Sequence, residues 1–422
     1  MTVNLSKQIL VIHARKIKQI LPGHFQAPLA PELFGKVLPG RSYSYKQERG
    51  IFFSFLLKYI AKERKLEQVA NSIWLYRLYD VAEEIQLPLV EKILAESKPT
   101  ARLRLSRIRP KSIHIPNPPV TVELGEDRIN LLNEQFPVKF LGKIYDLGVI
   151  SMIMRILLPF PFPYEKIRNL AVYLADTEEL EPLFLKKRDE VREALARTMV
   201  RPGNRDFEED YIIFYFSHWN RDWDPVPLLL GEDEPVSQQV RRETLQHSFT
   251  YGEDDLAIIT WSSALIYDRT GSYDIPDLLE FALTQLLELQ YYDSVLSEEM
   301  AKMYGAIEEA EAVTQFRRLK QYREIMNKLM ELVVEINEIT EKIQNSLKVT
   351  EDVFYARIYG TALSIFRTKA WMESIQQKSS VILQNYSFLS NRLVNQQSML
   401  LELAIVLLFL LEIILTLPGF FR

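Results

Sequence analysis

The sequence predicts an α+β N-terminal domain, then a long antiparallel α-helical coiled-coil stalk, then one C-terminal transmembrane helix. Three observations carry that expectation. Between residues 50 and 275 strand-like alternation is interleaved with helical periods. From Asp277 to Lys348 the pattern is helical throughout, with Gly305 as the only glycine and no proline. The stretch Met399–Leu417 reads MLLELAIVLLFLLEIILTL; a bilayer core of roughly 30 Å needs about 20 such residues in a helix. These features divide the 422 residues into a basic segment (1–49), an α+β domain (50–275), a helical hairpin stalk (276–398), a membrane helix (399–417) and a short tail (418–422).

Composition narrows the function classes. The net charge of −5 is too mild to argue for a nucleic-acid partner from the total. No cysteine is present, which removes disulfides, thiolate nucleophiles and zinc sites with Cys ligands. The five histidines, His13, His24, His114, His218 and His247, are dispersed, so no His-rich metal site is expected. No glycine loop of the phosphate- or dinucleotide-binding kind occurs, and no GxSxG. The expectation is a protein without catalytic, cofactor or metal residues.

Residues 1–49 carry eight cations against Glu32 and Glu48, a local balance of +6. Leu5, Ile9, Ile12, Ile17 and Ile20 recur there at helical spacing, so the segment suits an amphipathic helix on an anionic surface or one docked on the domain. It lacks the continuous apolar run of a signal peptide; a mitochondrial transit peptide is an alternative, although it calls for more Ser and Arg. Phe52–Lys62 reads as a helix, Ser72–Tyr79 as a strand and Asp80–Ala95 as a helix.

In Ala101–Ile115, Arg102 and Arg104 alternate with Leu103 and Leu105, giving a strand one cationic face. Arg107, Arg109 and Lys111 extend it. Guanidinium groups so arrayed suit phosphates of RNA or of lipid headgroups; ion pairs with acidic helices are the other reading. Strands are further expected at Val120–Leu124, within Phe140–Leu158, and at Tyr211–Phe216, Leu256–Trp261 and Ala264–Tyr267, with helices at Glu165–Ala175 and Leu180–Met199. His218–Asp224 (HWNRDWD) holds a base and two carboxylates, so a hydrolytic site is conceivable; a turn with its own salt bridges and Trp packing is the plainer reading. Glu253-Asp254-Asp255 reads as a solvated turn.

In the stalk, Tyr322, Ile325, Leu329, Leu332, Ile336, Ile339 and Ile343 follow the 3–4 spacing of a heptad seam. Val349–Val353 breaks it with capping groups. Ile375, Ile382 and Leu389 continue the pattern into the apolar run, so the stalk is expected to pack on itself or on a second subunit. The anchor would bury Leu403, Val406, Leu410, Glu412 and Leu417 in lipid. Glu412 would there be protonated, paired across subunits or beside a water route, since a charge at that depth costs about 2.5 kcal/mol or more. A buried helix of a soluble bundle is the alternative. Arg367, Lys369, Lys378 and Arg392 precede the run and only Arg422 follows it, which orients the large part to the cytoplasm.

The Leu401-Glu402 pair, Glu412 ten residues on, and the acidic-aromatic junction Thr350–Tyr355 with Glu351, Asp352 and Tyr355 resemble the YagE family, named for yeast "required for meiotic nuclear division". Asn391-Arg392-Leu393 sits where that family carries an Arg-rich coiled segment. The resemblance covers about the last 150 residues, and the family's small-residue segment before the first long helix is not recognisable. It implies a membrane-anchored, oligomeric protein without enzymatic activity, whose mitochondrial members are associated with holding ribosomes near the inner membrane. The leading expectation is therefore a non-enzymatic oligomeric scaffold in the bacterial inner membrane (or the mitochondrial inner membrane), with RNA, ribosome or anionic lipid as partner. The alternative is a channel-like oligomer, similar in outline to CorA magnesium transporters, its pore lined by the C-terminal helix. CorA needs two spans and a Gly-Met-Asn loop, neither of which is in the sequence.

Overall fold

A computed structural model describes residues 71–95, 100–102, 117–159, 161–203, 207–312, 315–346 and 352–420. The basic segment and the helix expected at Phe52–Lys62 lie outside them. In chain order the elements are β1 (Ser72–Asp80), β2 (Ala82–Ile85), α1 (Leu87–Ala95), β3 (Thr100–Arg102), β4 (Val120–Leu131), β5 (Glu134–Ile144) and β6 (Val149–Leu157). Then come α2 (Tyr164–Asp176), α3 (Glu181–Leu195), β7 (Met199–Pro202), β8 (Glu208–Phe216), α4 (Val226–Leu230), α5 (Gln238–Thr244), β9 (Ser248–Phe249), β10 (Asp255–Ile259) and β11 (Ser263–Asp268). The chain closes with α6 (Asp274–Ala312), α7 (Gln315–Ser346), α8 (Val353–Ile365) and α9 (Thr368–Phe420).

Among the described residues, nine strands form one sheet in the order β3-β4-β5-β6-β1-β8-β11-β10-β9. Its pairs are antiparallel except β8 with β11, which needs the crossover through α4, α5, β9 and β10. Between β4 and β5, Leu132 (φ 50°) and Asn133 (φ 63°) take successive left-handed conformations, as a two-residue hairpin turn requires. The expected helix over Asp80–Ala95 is corrected: β2 precedes α1, pairing with β7. Ile85 N donates to Asp146 O at 2.9 Å and Val81 N to Gly148 O at 3.0 Å, so the turn after β5 holds this segment extended.

Strand β1 is buried on both faces, and its alternation separates two cores rather than core from solvent. Ile73, Leu75 and Tyr79 face α2 and α3, with Ile167, Leu170, Leu174, Phe184 and Val191. Trp74, Tyr76 and Leu78 face α6 and α8, with Leu279, Leu283, Leu286, Ile358 and Ala362. Each such buried aliphatic side chain contributes roughly 1.5–3 kcal/mol. The sheet is thus sandwiched between helices, and α6 serves twice: its first half covers the sheet and its second half enters a helical bundle.

That bundle has three helices, not the two expected. Tyr292, Leu296 and Met303 of α6 pack with Leu329 and Val333 of α7 and with Ile375 and Ile382 of α9. Farther along, Tyr322 meets Leu389. The heptad residues Ile336, Ile339 and Ile343 lie in α7, but their side chains are outside the described set.

The transmembrane helix is corrected outright. Among the described residues, no helix is long and apolar enough to cross a membrane. The apolar run is the end of the 53-residue α9. Glu402 and Glu412 fall inside it. Leu403, Val406 and Leu410 stand 50–55% exposed. The membrane keywords and the bacterial inner-membrane or mitochondrial placement rested on that span and fall with it.

Candidate functional site

Two segments that the sequence separates by about a hundred residues meet at one cleft. Phe249, Tyr251 and the Gly252–Ala257 stretch form one wall, Tyr267–Thr270 the base, and Asp352, Phe354 and Tyr355 the opposite wall. The cavity is about 490 Å³. Five aromatic rings line it (Phe249, Tyr251, Tyr267, Phe354, Tyr355), and so do five carboxylates (Glu253, Asp254, Asp255, Asp268, Asp352) and Arg269, while the Arg357 guanidinium stands 5.8 Å from the Phe249 ring centre.

Local chemistry fixes each wall. The Asp255 carboxylate accepts from the backbone N–H of Tyr251 (2.7 Å) and Gly252 (3.1 Å), which folds the turn into β10. Asp268 accepts from Thr270 N and Oγ1, both at 2.6 Å, and with Gly271 at φ 75° this ends β11. Asp352 is the N-cap of α8, accepting from Phe354 N at 2.8 Å. That cap sets the first turn of α8, and so places Phe354 edge-on to Tyr251 with ring centres 5.3 Å apart. Tyr355 Oη donates to Asp274 Oδ2 at 3.3 Å. Burial first, then Asp274, pushes the Tyr355 hydroxyl far above its ordinary range, so it stays neutral. Arg269 pairs with Asp254 at 3.0 Å on the exposed rim.

Asp255, Asp268 and Asp352 each hold backbone donors of the walls, so they act as structural acceptors whose charge still faces the cleft. Aromatic faces beside anionic oxygens attract an organic cation. That is what this arrangement can do chemically.

The residues nominated from sequence fare unevenly. Asp352 and Tyr355 are at the cleft; Glu351 lies outside the described residues. Arg102 is in β3, opposite Val120, with its side chain outside the described set, while Arg104, Arg107, Arg109 and Lys111 lie outside it altogether. Glu402 and Glu412 are on the exposed end of α9, remote in sequence from every cleft residue, and the Leu417 side chain is not described. In the His218–Asp224 loop, Asp224 accepts from Arg241 Nη1 at 2.7 Å and Nη2 at 2.8 Å, and its Oδ1 accepts from Val226 N at 3.1 Å. Trp219 and Trp223 stack edge-on at 5.4 Å. His218 instead meets Ser217 Oγ through Nδ1 at 2.9 Å. The run is thus a turn with Trp packing, its ion pair made to Arg241 of α5 rather than within itself. Among the described residues no group of three His, Asp or Glu is placed to hold a metal ion.

Sequence reasoning passed over Lys143, Asp277 and Glu280, a buried ionic cluster between β5 and α6. Its signal was present: Glu280 interrupts Leu278-Leu279-Glu280-Phe281-Ala282-Leu283, an apolar run in which a carboxylate needs a buried partner.

Comparison with known proteins replaces the YagE resemblance. Residues 70–274, the sheet portion, match the family model described as "Uncharacterized protein MJ0711, N-terminal domain". Over 270 residues the chain is 28% identical to "Uncharacterized protein MJ0711" of Methanocaldococcus jannaschii, covering 60% of this chain and 80% of that one. Neither match is to the YagE family; the family-model match lies in the part before the long helices, and the relative is archaeal. Acids spaced along a leucine-rich helix are a compositional pattern that unrelated helices share, which is why they misled. No solved structure matches the chain.

Proposed function

We propose that the protein is a non-catalytic interaction module whose acidic-aromatic cleft receives an organic cation, the guanidinium or ammonium end of a partner's side chain. The observation that carries this is the lining itself: five rings and five carboxylates around about 490 Å³, with Arg269 at the rim and Arg357 over the Phe249 ring as a cation already held on one of those faces. A cation over an aromatic face gains about 0.5–2 kcal/mol, more as it is desolvated. The structural duties of Asp255, Asp268 and Asp352 favour binding over acid–base chemistry. As a scaffold the protein would self-associate through α9, where the seam of Ile375, Ile382 and Leu389 runs on into exposed Leu403, Leu407 and Leu410.

Calorimetric titration with N-acetyl-arginine methylamide, against the leucine analogue as neutral control, tests the cleft. Saturable binding of the arginine probe alone, weakened by Phe354→Ala and by added salt, supports the reading. Equal behaviour of both probes refutes it. Sedimentation of the full chain, with and without Leu403→Glu and Leu410→Glu, tests self-association: a mass that falls to the monomer only in the variant supports it.

A further inference from the structure

Lys143 Nζ lies 2.6 Å from Asp277 Oδ1 and 2.5 Å from Glu280 Oε2. The three side chains are 4%, 10% and 0% exposed, so the site is dry. It holds one ammonium and two carboxyl groups. Around Glu280 stand the buried hydroxyls of Tyr76 on β1, Tyr145 after β5 and Ser151 on β6, none with a well-formed hydrogen bond, and Glu280 Oε1 likewise. Among the described residues the other cation near these hydroxyls is Arg155 on β6, whose guanidinium sits 3.7 Å from the Trp74 ring centre and 4.6 Å from that of Tyr273 and whose charge reaches Tyr76. From helix α8, Tyr359 packs on α6, its hydroxyl donating to Gln285 Oε1 at 2.9 Å.

A second carboxylate without a counter-charge is costly in such surroundings, whereas a proton neutralises it and supplies a donor to the oxygens beside it. Position selects which carboxyl takes the proton. Asp277 is in the first turn of α6, where the helix dipole favours an anion, and it keeps some solvent exposure. Glu280 has neither advantage. We propose that the cluster is a proton-holding latch at the base of the helical bundle: Glu280 is protonated at neutral pH between ionised Lys143 and Asp277, and α6 loosens from the sheet when that proton leaves.

The electrostatics agree in direction. Burial pushes Glu280 up, against the pull of Lys143 and with a further push from Asp277. Burial opposes the charge on Lys143, but Asp277 and Glu280 more than reverse it and hold Lys143 above its ordinary value. Tyr76 and Tyr145 are driven well up, chiefly by burial, and add no charge. A carboxyl raised in the fold contributes stability that is complete below its ordinary value of 4.5 and is lost as pH rises through its folded value. The latch therefore releases toward alkaline pH.

Infrared spectra of the full chain test this, together with amide exchange in α6 corrected for intrinsic rates. Expected at neutral pH is a carboxylic-acid C=O band that Glu280→Gln lacks and Asp277→Asn keeps. As pH rises the band should vanish while protection of the amides near Glu280 falls several-fold, and in Glu280→Gln that protection should stay level. Absence of the band in the wild type at neutral pH overturns the proposal. So does an equal loss of protection in Glu280→Gln. Where Glu280→Gln does not fold, absence of the band in the wild type still overturns the proposal, and a band lost in Glu209→Gln, another carboxyl that burial raises, overturns it too.

Discussion

Lys143 on β5 and Asp277 on α6, 134 residues apart, are joined at 2.6 Å in the interior. Removing the cation strands two carboxyl groups there. Lys143→Met is predicted to cost about 3–5 kcal/mol near neutral pH, because an uncompensated buried charge costs more than the lost pairing alone. The deficit should shrink in acid, as protons take the place of the missing counter-charge. Urea unfolding at about pH 4 and about pH 7 checks this, the smaller difference from wild type being expected at the lower value.

Gly148 follows β5 in the turn that pins β2. It has φ 90°, and a Cβ built there would fall 1.7 Å from the carbonyl oxygen of Ala82. Gly148→Ala must shift backbone, and should cost at least about 3 kcal/mol from steric conflict and left-handed strain together. Thermal unfolding reads this directly; a change below about 1 kcal/mol would show that the turn relaxes freely.

Asp352 joins stability to the cleft. Asp352→Ala removes the N-cap of α8 and is predicted to cost about 1 kcal/mol. Asp352→Ser, which keeps a capping oxygen without the charge, should recover most of that stability while leaving cation binding weakened. The pair of variants, compared by urea midpoint and by titration with the arginine probe, separates the two roles.

Arg269 is the cleft's own cation, and its pair with Asp254 is solvent-exposed on both sides. Arg269→Gln should change stability by no more than about 0.5 kcal/mol. It should tighten binding of the arginine probe several-fold, with a steeper dependence on salt. Weaker binding in Arg269→Gln would mean that the guanidinium serves the ligand, which would then be an anion.

In the bundle, Ile382 is fully buried among residues of α6, α7 and α9. Ile382→Ala is predicted to cost about 2–5 kcal/mol by lost burial and the cavity left behind. Far-ultraviolet circular dichroism through urea titration measures it, and because α6 belongs to both cores the sheet should unfold in the same transition.

Strands with strong alternation were legible in the sequence: Ser72–Tyr79, Tyr211–Phe216 and Ala264–Tyr267 all lie in strands of the sheet. β5 was largely missed because Glu134, Gln135, Lys139 and Lys143 dilute its apolar face, and Lys143 turns inward only because α6 supplies carboxylates. The third helix of the bundle was missed because Asp277–Lys348 has no proline and only Gly305, so nothing marks its division into α6 and α7, whereas the helix of Ile375 and Ile382 was read as α9. The acids at Glu253–Asp255 and Asp352 were visible as turn and cap, and those roles hold. Their meeting was not legible, since sheet order and the return of α8 set it, and neither is written in local periodicity. The apolar run of α9 was over-read: leucine content suggested a span, while no described helix is long and apolar enough to cross a membrane, and the run carries Glu402 and Glu412.

The most direct test of the central claim is a chemical-shift map of the full chain titrated with N-acetyl-arginine methylamide. The account predicts saturable shifts centred on Tyr251, Tyr267, Phe354 and Tyr355, reduced in Phe354→Ala and absent with the leucine analogue. Shifts scattered over the surface carboxylates, or the same cleft responding to the leucine analogue, would contradict it.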